Sequence, residues 1–315
     1  MPQVASLSVV VPVYGAEQSL GELVDRLMAV LPSLAAEFEV LLVNDASPDK
    51  SWSVIEMLSA SHPCVFGLDL SRNYGQHNAL LAGIRRARHE LIVTMDDDLQ
   101  HRPEQIEVLL SALSSDVDVV YGYAAEEEHG VARSVASRVT KLALASALGL
   151  KTAKHVSAFR VFRVHLRDAF HGNQDASVSL DVLLSWGTTR VEAVPVVMNK
   201  RPYGTSGYTF RKLVTHALNM LTGYSTAPLR AVTFLGLFMA LFGLVMLGIV
   251  VGRYLTAGPA QPGFAFIAST VAIFSGAQLF CLGMLGEYIG RMHFRSMGRP
   301  TYAVRRTTCD WVERT

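Results

Sequence analysis

The 315-residue chain is long enough for about two domains. Half of its residues are hydrophobic, 17% are charged and the mean hydropathy is +0.29, a balance too apolar for an ordinary soluble enzyme and one that points to a membrane-embedded portion. A net charge of +1 gives no overall field for nucleic acid, and Cys64, Cys281 and Cys309 are too scattered for a disulfide framework or a CxxC metal site, so the chain reads as reduced and cytoplasm-facing.

The first 125 residues alternate between two periodicities. LSVVVPVY (7–14) is an apolar, β-branched run without a basic flank, a strand rather than a signal peptide. SLGELVDRLMAVL (19–31) has helical spacing, EVLLVND (39–45) is a buried strand with a polar end, and a helix is expected near 50–60. CVFGLDL (64–70), a helix from about Gln76 to Arg88, ELIVTM (90–95), a helix after Pro103 and DVDVVYG (116–122) continue the alternation. This pattern predicts an α/β fold with a mostly parallel, Rossmann-like sheet and helices on both faces. Ligands bind such sheets beyond the carboxyl ends of the strands. The polar clusters fall there: Tyr14 to Glu17, Asn44-Asp45, Arg72-Asn73 and Asp96 to Asp98.

The chain then changes character. GVARSVASRVTKLALASALGL (130–150) carries basic residues and an apolar stripe and reads as an interfacial helix. HVSAFRVFR (155–163) reads as a loop after the sheet, and Trp186 and Arg190 in LLSWGTTR read as packing residues. No charged residue occurs from Ala231 to Gly252 or from Phe264 to Gly286, and each run suffices to cross ~30 Å of hydrocarbon. The expected organisation is therefore a globular domain over 1–200, a loop and juxtamembrane helix over 201–229, a transmembrane hairpin over 230–290 (helices 231–255 and 264–289) and a tail over 291–315. Arginines cluster outside the hairpin (Arg201, Arg211 and Arg230 before; Arg291, Arg295, Arg299, Arg305 and Arg306 after), whereas Arg253 alone lies near its tip, which puts both termini in the cytoplasm. Gly236, Gly243, Gly276 and Gly283 leave faces on which other subunits, and hence a homo-oligomer, can pack.

The stretch MDDDLQHRPEQI (95–106) carries the chemistry. Adjacent carboxylates at a strand end repel one another unless a cation sits among them. Oxygen-only ligands suit Mg²⁺ or Mn²⁺, and magnesium is typically held by one or two carboxylates together with substrate phosphates. Asp96 and Asp98, one residue apart, point the same way in an extended segment, and Gln100 adds a neutral oxygen. The alternative is a helix cap ahead of Pro103-Glu104. His77 and His101 show no metal-ligand spacing and read as ordinary polar residues.

Together, VVPVYGAEQSL, VNDASPD, SRNYGQHNALLAGIRRA and MDDDLQHRPEQI resemble the GT-A fold of inverting, family 2 glycosyltransferases. RPYGTSGYTFRKL, NMLTGYSTAPLR and the apolar pair ending GEYIGRMHFRSMGRPTY narrow the resemblance to polyprenyl-phosphate glycosyltransferases, a subgroup that includes dolichol-phosphate mannose synthase, undecaprenyl-phosphate glucosyltransferases and aminoarabinose transferases. The resemblance implies that Pro12, Tyr14, Glu17 and Asp45 hold the nucleoside and that Gly75, Gln76 and Asp97 line the same pocket. It also implies that Asp96 and Asp98, assisted by Gln100, hold a nucleotide sugar's diphosphate through Mg²⁺ or Mn²⁺. The family's usual Asn-Glu after the tyrosine is here Gly15-Ala16, and its Asp-Asp pair is Asn44-Asp45. UDP is expected over GDP from the resemblance alone.

The acceptor it implies is a polyprenyl phosphate, undecaprenyl phosphate in a bacterial inner membrane, in contact with membrane lipids. Arg133, Arg201, Ser206 and Tyr208 are the candidates to meet its phosphate, with Asp98, Arg133 and Arg201 as the catalytic set. A phosphate monoester is largely ionised at neutral pH, its second pKa being ~6, so it has little need of a general base; His155 and Asp181 are the candidates if one exists. Direct in-line displacement inverts the anomeric centre. Rival readings are a processive polysaccharide synthase, for which the QxxRW segment is missing, and a non-catalytic membrane scaffold.

Overall fold

A computed structural model of the protein describes residues 3–124, 155–170, 179–199, 227–257, 264–298 and 300–309. The chain divides into two compact units, one formed by 1–214 with 299–315 and the other by 215–298.

The first unit is built on one sheet. Strands β1 (Val4–Val13), β2 (Ala35–Asn44), β3 (Val65–Leu70) and β4 (Leu91–Thr94) alternate with helices α1 (Leu20–Leu34), α2 (Ser51–Ser61) and α3 (Gln76–Ile84). A short 3₁₀ turn at Pro103–Gln105 leads into α4 (Ile106–Ala112), followed by β5 (Val119–Ala124), β6 (Arg160–Arg163), α5 (Leu180–Gly187) and β7 (Val191–Val196). The last strand, β8 (Val304–Thr307), comes from the far end of the chain. Among the described residues the sheet has eight strands in the order β7-β5-β6-β4-β1-β2-β3-β8. The β4-β1-β2-β3 block is parallel, β6 runs antiparallel to both β4 and β5, and β8 is antiparallel to β3.

The central strands read as unbroken apolar runs because both their faces are covered. On one face Val9, Val11 and Leu42 meet Leu23, Leu27 and Leu31 of α1, Ile55 of α2 and Leu109 of α4. On the other, Val10, Leu41 and Val43 meet Ala79 and Leu80 of α3 and Leu180 and Leu183 of α5. In α1 the buried positions 20, 23, 24, 27 and 31 recur at helical spacing, one apolar stripe facing the core. Helix α3 lies close on the sheet: a Cβ on Gly83 would stand 2.5 Å from Val10 Cγ1 and 3.0 Å from Val43 Cγ2.

Four expectations change. HVSAFRVFR is loop only over 155–159, since Arg160–Arg163 fills the gap between β4 and β5. Four residues flanked by arginines give too short an apolar alternation to announce a strand. Within the expected 291–315 tail, Val304–Thr307 returns to pair with β3. Arg306, counted as membrane flank, instead donates to Asp69 and lies over the Trp52 ring. Trp186 is 63% exposed, so its ring is not a core packing residue.

The second unit contains α6 (Ala227–Ala257) and α7 (Phe264–Ser296). Among the described residues one stretch, Leu229–Arg253 in α6, is long and apolar enough to cross a membrane. Its apolar side chains face outward, Phe234, Leu237, Leu241 and Leu244 each being more than 60% exposed. The two helices touch where a Cβ on Gly243 would lie 3.2 Å from the Phe274 ring. Helix α7 is longer and carries Glu287 and Arg291 in its second half.

Candidate active site

An open cleft of about 500 Å³ lies beyond the carboxyl ends of β1, β2 and β4. The chain direction dictates this place. Strand β1 has β4 on one side and β2 on the other, so successive connections leave it in opposite directions and a crevice opens at that switch. Pro12, Tyr14, Asp45, Gly75, Gln76, Asp96, Asp97 and Asp98 all line it, as the sequence leads one to expect.

The three carboxylates are individually fastened. Asp96 Oδ1 accepts from Gln76 Nε2 at 2.5 Å, while the Asp96 N–H donates to His101 Nδ1 at 3.1 Å. Asp97 Oδ2 accepts from the Tyr14 N–H at 3.0 Å. Asp98 Oδ1 accepts from the Gln100 N–H at 3.0 Å, closing a small turn in which Leu99 takes a positive φ of 61°. None of them caps the helix that follows: Arg102 holds that position and makes no side-chain cap. Burial raises the Asp97 carboxyl to about 7, opposed by the Tyr14 N–H and reinforced by its two acidic neighbours.

His101 is more than an ordinary polar residue. It is buried, stacks on Phe159 with ring centres 5.2 Å apart, and presents an unprotonated Nδ1 to the Asp96 amide. Burial pushes its pKa down to about 4 despite nearby Asp98, and Arg160 pushes the same way, so it is neutral at physiological pH. Only its position five residues after Asp96 hinted at this role.

Beside the rim lies a buried ion pair that the sequence did not reveal. Arg160, on β6, and Asp181, on α5, bond to each other and both line the cleft. Arg160 Nε also donates to Thr94 Oγ1 at 3.0 Å, and the Tyr121 hydroxyl donates to Asp181 Oδ1 at 3.1 Å. Asp181, named as a candidate base, is thus committed to a guanidinium and a phenol. His155 stacks on Tyr123 at 4.3 Å and is not among the lining residues.

Of three further candidates, Asp45 lines the cleft and Glu17 and Gln100 do not. Asp45 gives both carboxylate oxygens to backbone amides, Tyr74 N–H and Gly75 N–H, each at 2.7 Å, which fixes the turn into α3. Burial raises its pKa against those two bonds. Glu17 lies off the cleft, its Oε2 accepting from the Lys50 N–H at 2.9 Å at the start of α2. Gln100 is also absent from the lining. Arg133, Arg201, Ser206 and Tyr208, and the interfacial helix over 130–150, lie outside the described residues.

A diphosphate-bound divalent ion suits the donors present. Among the described residues no three His, Cys, Asp or Glu side chains are grouped closely enough to hold an ion unaided. Asp96 and Asp98 nevertheless share one open cleft, the two-carboxylate arrangement that substrate phosphates complete. The start of α3, with Gly75, Gln76 and His77 on the cleft, adds the positive end of a helix dipole.

The glycosyl transferase family 2 model matches residues 8–169, slightly more than half the chain. The chain belongs to glycosyl transferase family 2. The transferase is 32% identical over 307 residues to an undecaprenyl-phosphate 4-deoxy-4-formamido-L-arabinose transferase of Pectobacterium atrosepticum, covering 96% of this chain and 94% of that one. It is also 32% identical over 312 residues to the enzyme of the same name from Photorhabdus laumondii, covering 98% and 96%. Among solved structures, it resembles a mannosyltransferase from Pyrobaculum calidifontis in complex with GDP-Man and Mn²⁺ (TM-score 0.51, 16% identity, 91% of this chain and 88% of that one). It also resembles a glucosyl-3-phosphoglycerate synthase from Mycobacterium tuberculosis in complex with Mn²⁺, UDP and phosphoglyceric acid (TM-score 0.50, 16% identity, 69% and 76%). These likenesses identify the transferase's fold as GT-A.

Proposed function

We propose that this glycosyltransferase moves a single sugar from a UDP-linked donor to undecaprenyl phosphate at the cytoplasmic membrane face, with Asp96 and Asp98 holding a divalent cation on the donor diphosphate. The observation that carries the reading is the acidic triplet facing an open cleft at the sheet's switch point. The full-length similarity to undecaprenyl-phosphate 4-deoxy-4-formamido-L-arabinose transferases supports the lipid acceptor and makes that sugar the first donor to test.

The chain's own groups divide the work. Tyr14, 55% exposed at the cleft, offers a flat ring for a base. Asp45 holds the Tyr74–Gly75 turn, and so aims the first turn of α3 at the diphosphate. Gln76 and His101 hold Asp96 in place through its side chain and its backbone. When bound, the cation supplies Lewis-acid neutralisation of the leaving diphosphate. The acceptor phosphate is already ionised, so no residue has to remove a proton from it. The pairing of Asp181 with Arg160 agrees with a base-free, inverting displacement. Outward-facing apolar side chains on α6 support a membrane anchor, with α6 and α7 crossing as a pair and both ends on the cytoplasmic side. Arg133, Arg201, Ser206 and Tyr208 are the proposed phosphate contacts.

The test offers purified full-length protein, in lipid discs with undecaprenyl phosphate and Mn²⁺, a panel of nucleotide sugars. UDP-4-deoxy-4-formamido-L-arabinose, UDP-glucose and GDP-mannose form the minimal set. One lipid-linked monosaccharide is expected, from a UDP donor. Polymer, or product from GDP-mannose alone, would contradict the reading.

A further inference from the structure

The loops that wall the cleft are held from behind. Four consecutive backbone N–H groups each donate to a side-chain oxygen: Tyr14 to Asp97 Oδ2 at 3.0 Å, Gly15 to Ser47 Oγ at 3.1 Å, Ala16 to Ser51 Oγ at 2.9 Å and Glu17 to Asp49 Oδ2 at 3.2 Å. Two of those four acceptors, Ser47 and Asp49, sit on the segment joining β2 to α2, and Ser51 opens α2. That segment contains Ala46 at φ 52°, a conformation that a non-glycine residue keeps only where its surroundings impose it.

The imposing element is a row of side chains that crosses the sheet. Val13, Asn44, Asp69 and Arg306 are register neighbours on β1, β2, β3 and β8. Arg306 Nε donates to Asp69 Oδ2 at 2.8 Å, and Asn44 Nδ2 donates to Asp69 Oδ1 at 2.7 Å. The Ser47 hydroxyl donates to Asn44 Oδ1 at 2.5 Å and accepts from the Gly15 N–H. The polarity of this row is forced. A carboxylate only accepts, so Asp69 must face the Asn44 amide nitrogen; the Asn44 oxygen then faces Ser47, whose one proton goes to it and whose lone pair turns to Gly15. Asn44 and Asp69 are buried, where a missing partner is costly. An aspartate at 44, the family's usual residue, would put two carboxylates at hydrogen-bond distance, so Asn44 and Asp69 are a matched set.

We propose that the C-terminal strand is a positioning element for the donor nucleotide: Arg306, acting through Asp69, Asn44 and Ser47, fixes Gly15 and so the adjoining Tyr14 at the wall of the cleft. This rests on the donor-site reading above. Arg306 touches no substrate. It sets where the wall stands, and the affinity of the site for a nucleotide diphosphate follows.

The test measures, on full-length protein in lipid discs, the dissociation constants of UDP and GDP, each with Mn²⁺, alongside the thermal midpoint. Thr308 is the control. Its Oγ1 bonds the Gly67 N–H at 2.8 Å and Ser59 Oγ at 2.7 Å, so Thr308→Val loosens the same C-terminal segment without touching the row. Thr308→Val is expected to lower the midpoint and leave nucleotide affinity unchanged. Arg306→Gln is expected to weaken nucleotide binding roughly tenfold well below its midpoint, and Arg306→Lys to restore most of it. Asn44→Asp should weaken binding similarly, while Asn44→Asp/Asp69→Asn, which reverses the 44–69 bond and leaves Arg306 and Ser47 as donors at either end of the row, should recover most of it. The inference is overturned if Arg306→Gln binds like wild type, or if it and Thr308→Val lose affinity only in proportion to lost stability. Should Arg306→Gln not fold, a double exchange that binds no better than Asn44→Asp overturns it equally. Wild-type protein that binds neither nucleotide removes the donor-site reading itself, and this inference with it.

Discussion

The rim and the floor of the cleft handle charge in opposite ways. At the floor, Asp181 meets Arg160 and the Tyr121 hydroxyl, and Thr94 takes a further bond from the same guanidinium. At the rim, Asp96, Asp97 and Asp98 crowd together, and burial with mutual repulsion lifts Asp97 to about 7. The floor sets a carboxylate against a guanidinium, and the rim sets three carboxylates side by side. Removing a partner from the floor should therefore cost folding energy, whereas on the proposed function neutralising the rim should cost ligand binding and transfer.

The comparison breaks or sharpens in four places. The largest effect is at the rim: Asp98→Asn should lower transfer about a thousandfold, several kcal/mol of charge stabilisation, with little change in the thermal midpoint. A midpoint collapse in that variant would make the rim structural instead. Next comes the floor, where Arg160→Met strands a buried carboxylate and should cost about 3–5 kcal/mol in urea unfolding of the solubilised protein, while Arg160→Met/Asp181→Leu should recover most of it. Third is the pH dependence of the metal-free protein. Folded Asp97 holds a proton between about 4 and about 7 that the unfolded chain has released, so its contribution to stability falls as pH rises through that window. His101 acts oppositely: unfolded it binds a proton below about 6.5, folded only near 4, so its contribution rises with pH over that range. Wild type should therefore show a shallower midpoint–pH profile than Asp97→Asn, whose curve should rise from pH 4 to 6.5. The smallest effect lies outside the cleft, at the half-exposed Arg26–Glu104 pair, where Glu104→Gln should cost less than about 1 kcal/mol because water screens it.

Much of the rim was legible because it obeys local rules. Runs such as LSVVVPV and EVLLVN can only be buried strands, and polar residues at their ends must converge where the sheet changes direction. The floor was not legible, because Arg160 and Asp181 meet across 21 positions and sit on a four-residue strand and a short helix. Strand β8 was hidden for a similar reason: its two arginines look like a membrane flank until Asp69 and Trp52 are seen beside one of them. Glu17 and Asp45 sit in the segments expected, yet their oxygens are taken by backbone amides, a distinction that depends on loop conformation rather than residue type.

The most direct measurement is Mn²⁺ binding to the purified transferase at pH 7.5, followed by paramagnetic resonance with and without UDP. Tight binding is predicted only when UDP is present, lost in Asp96→Asn and in Asp98→Asn, and paralleled by loss of transfer in EDTA. Sugar transfer that persists in EDTA, with UDP bound equally well by both variants, would contradict the account.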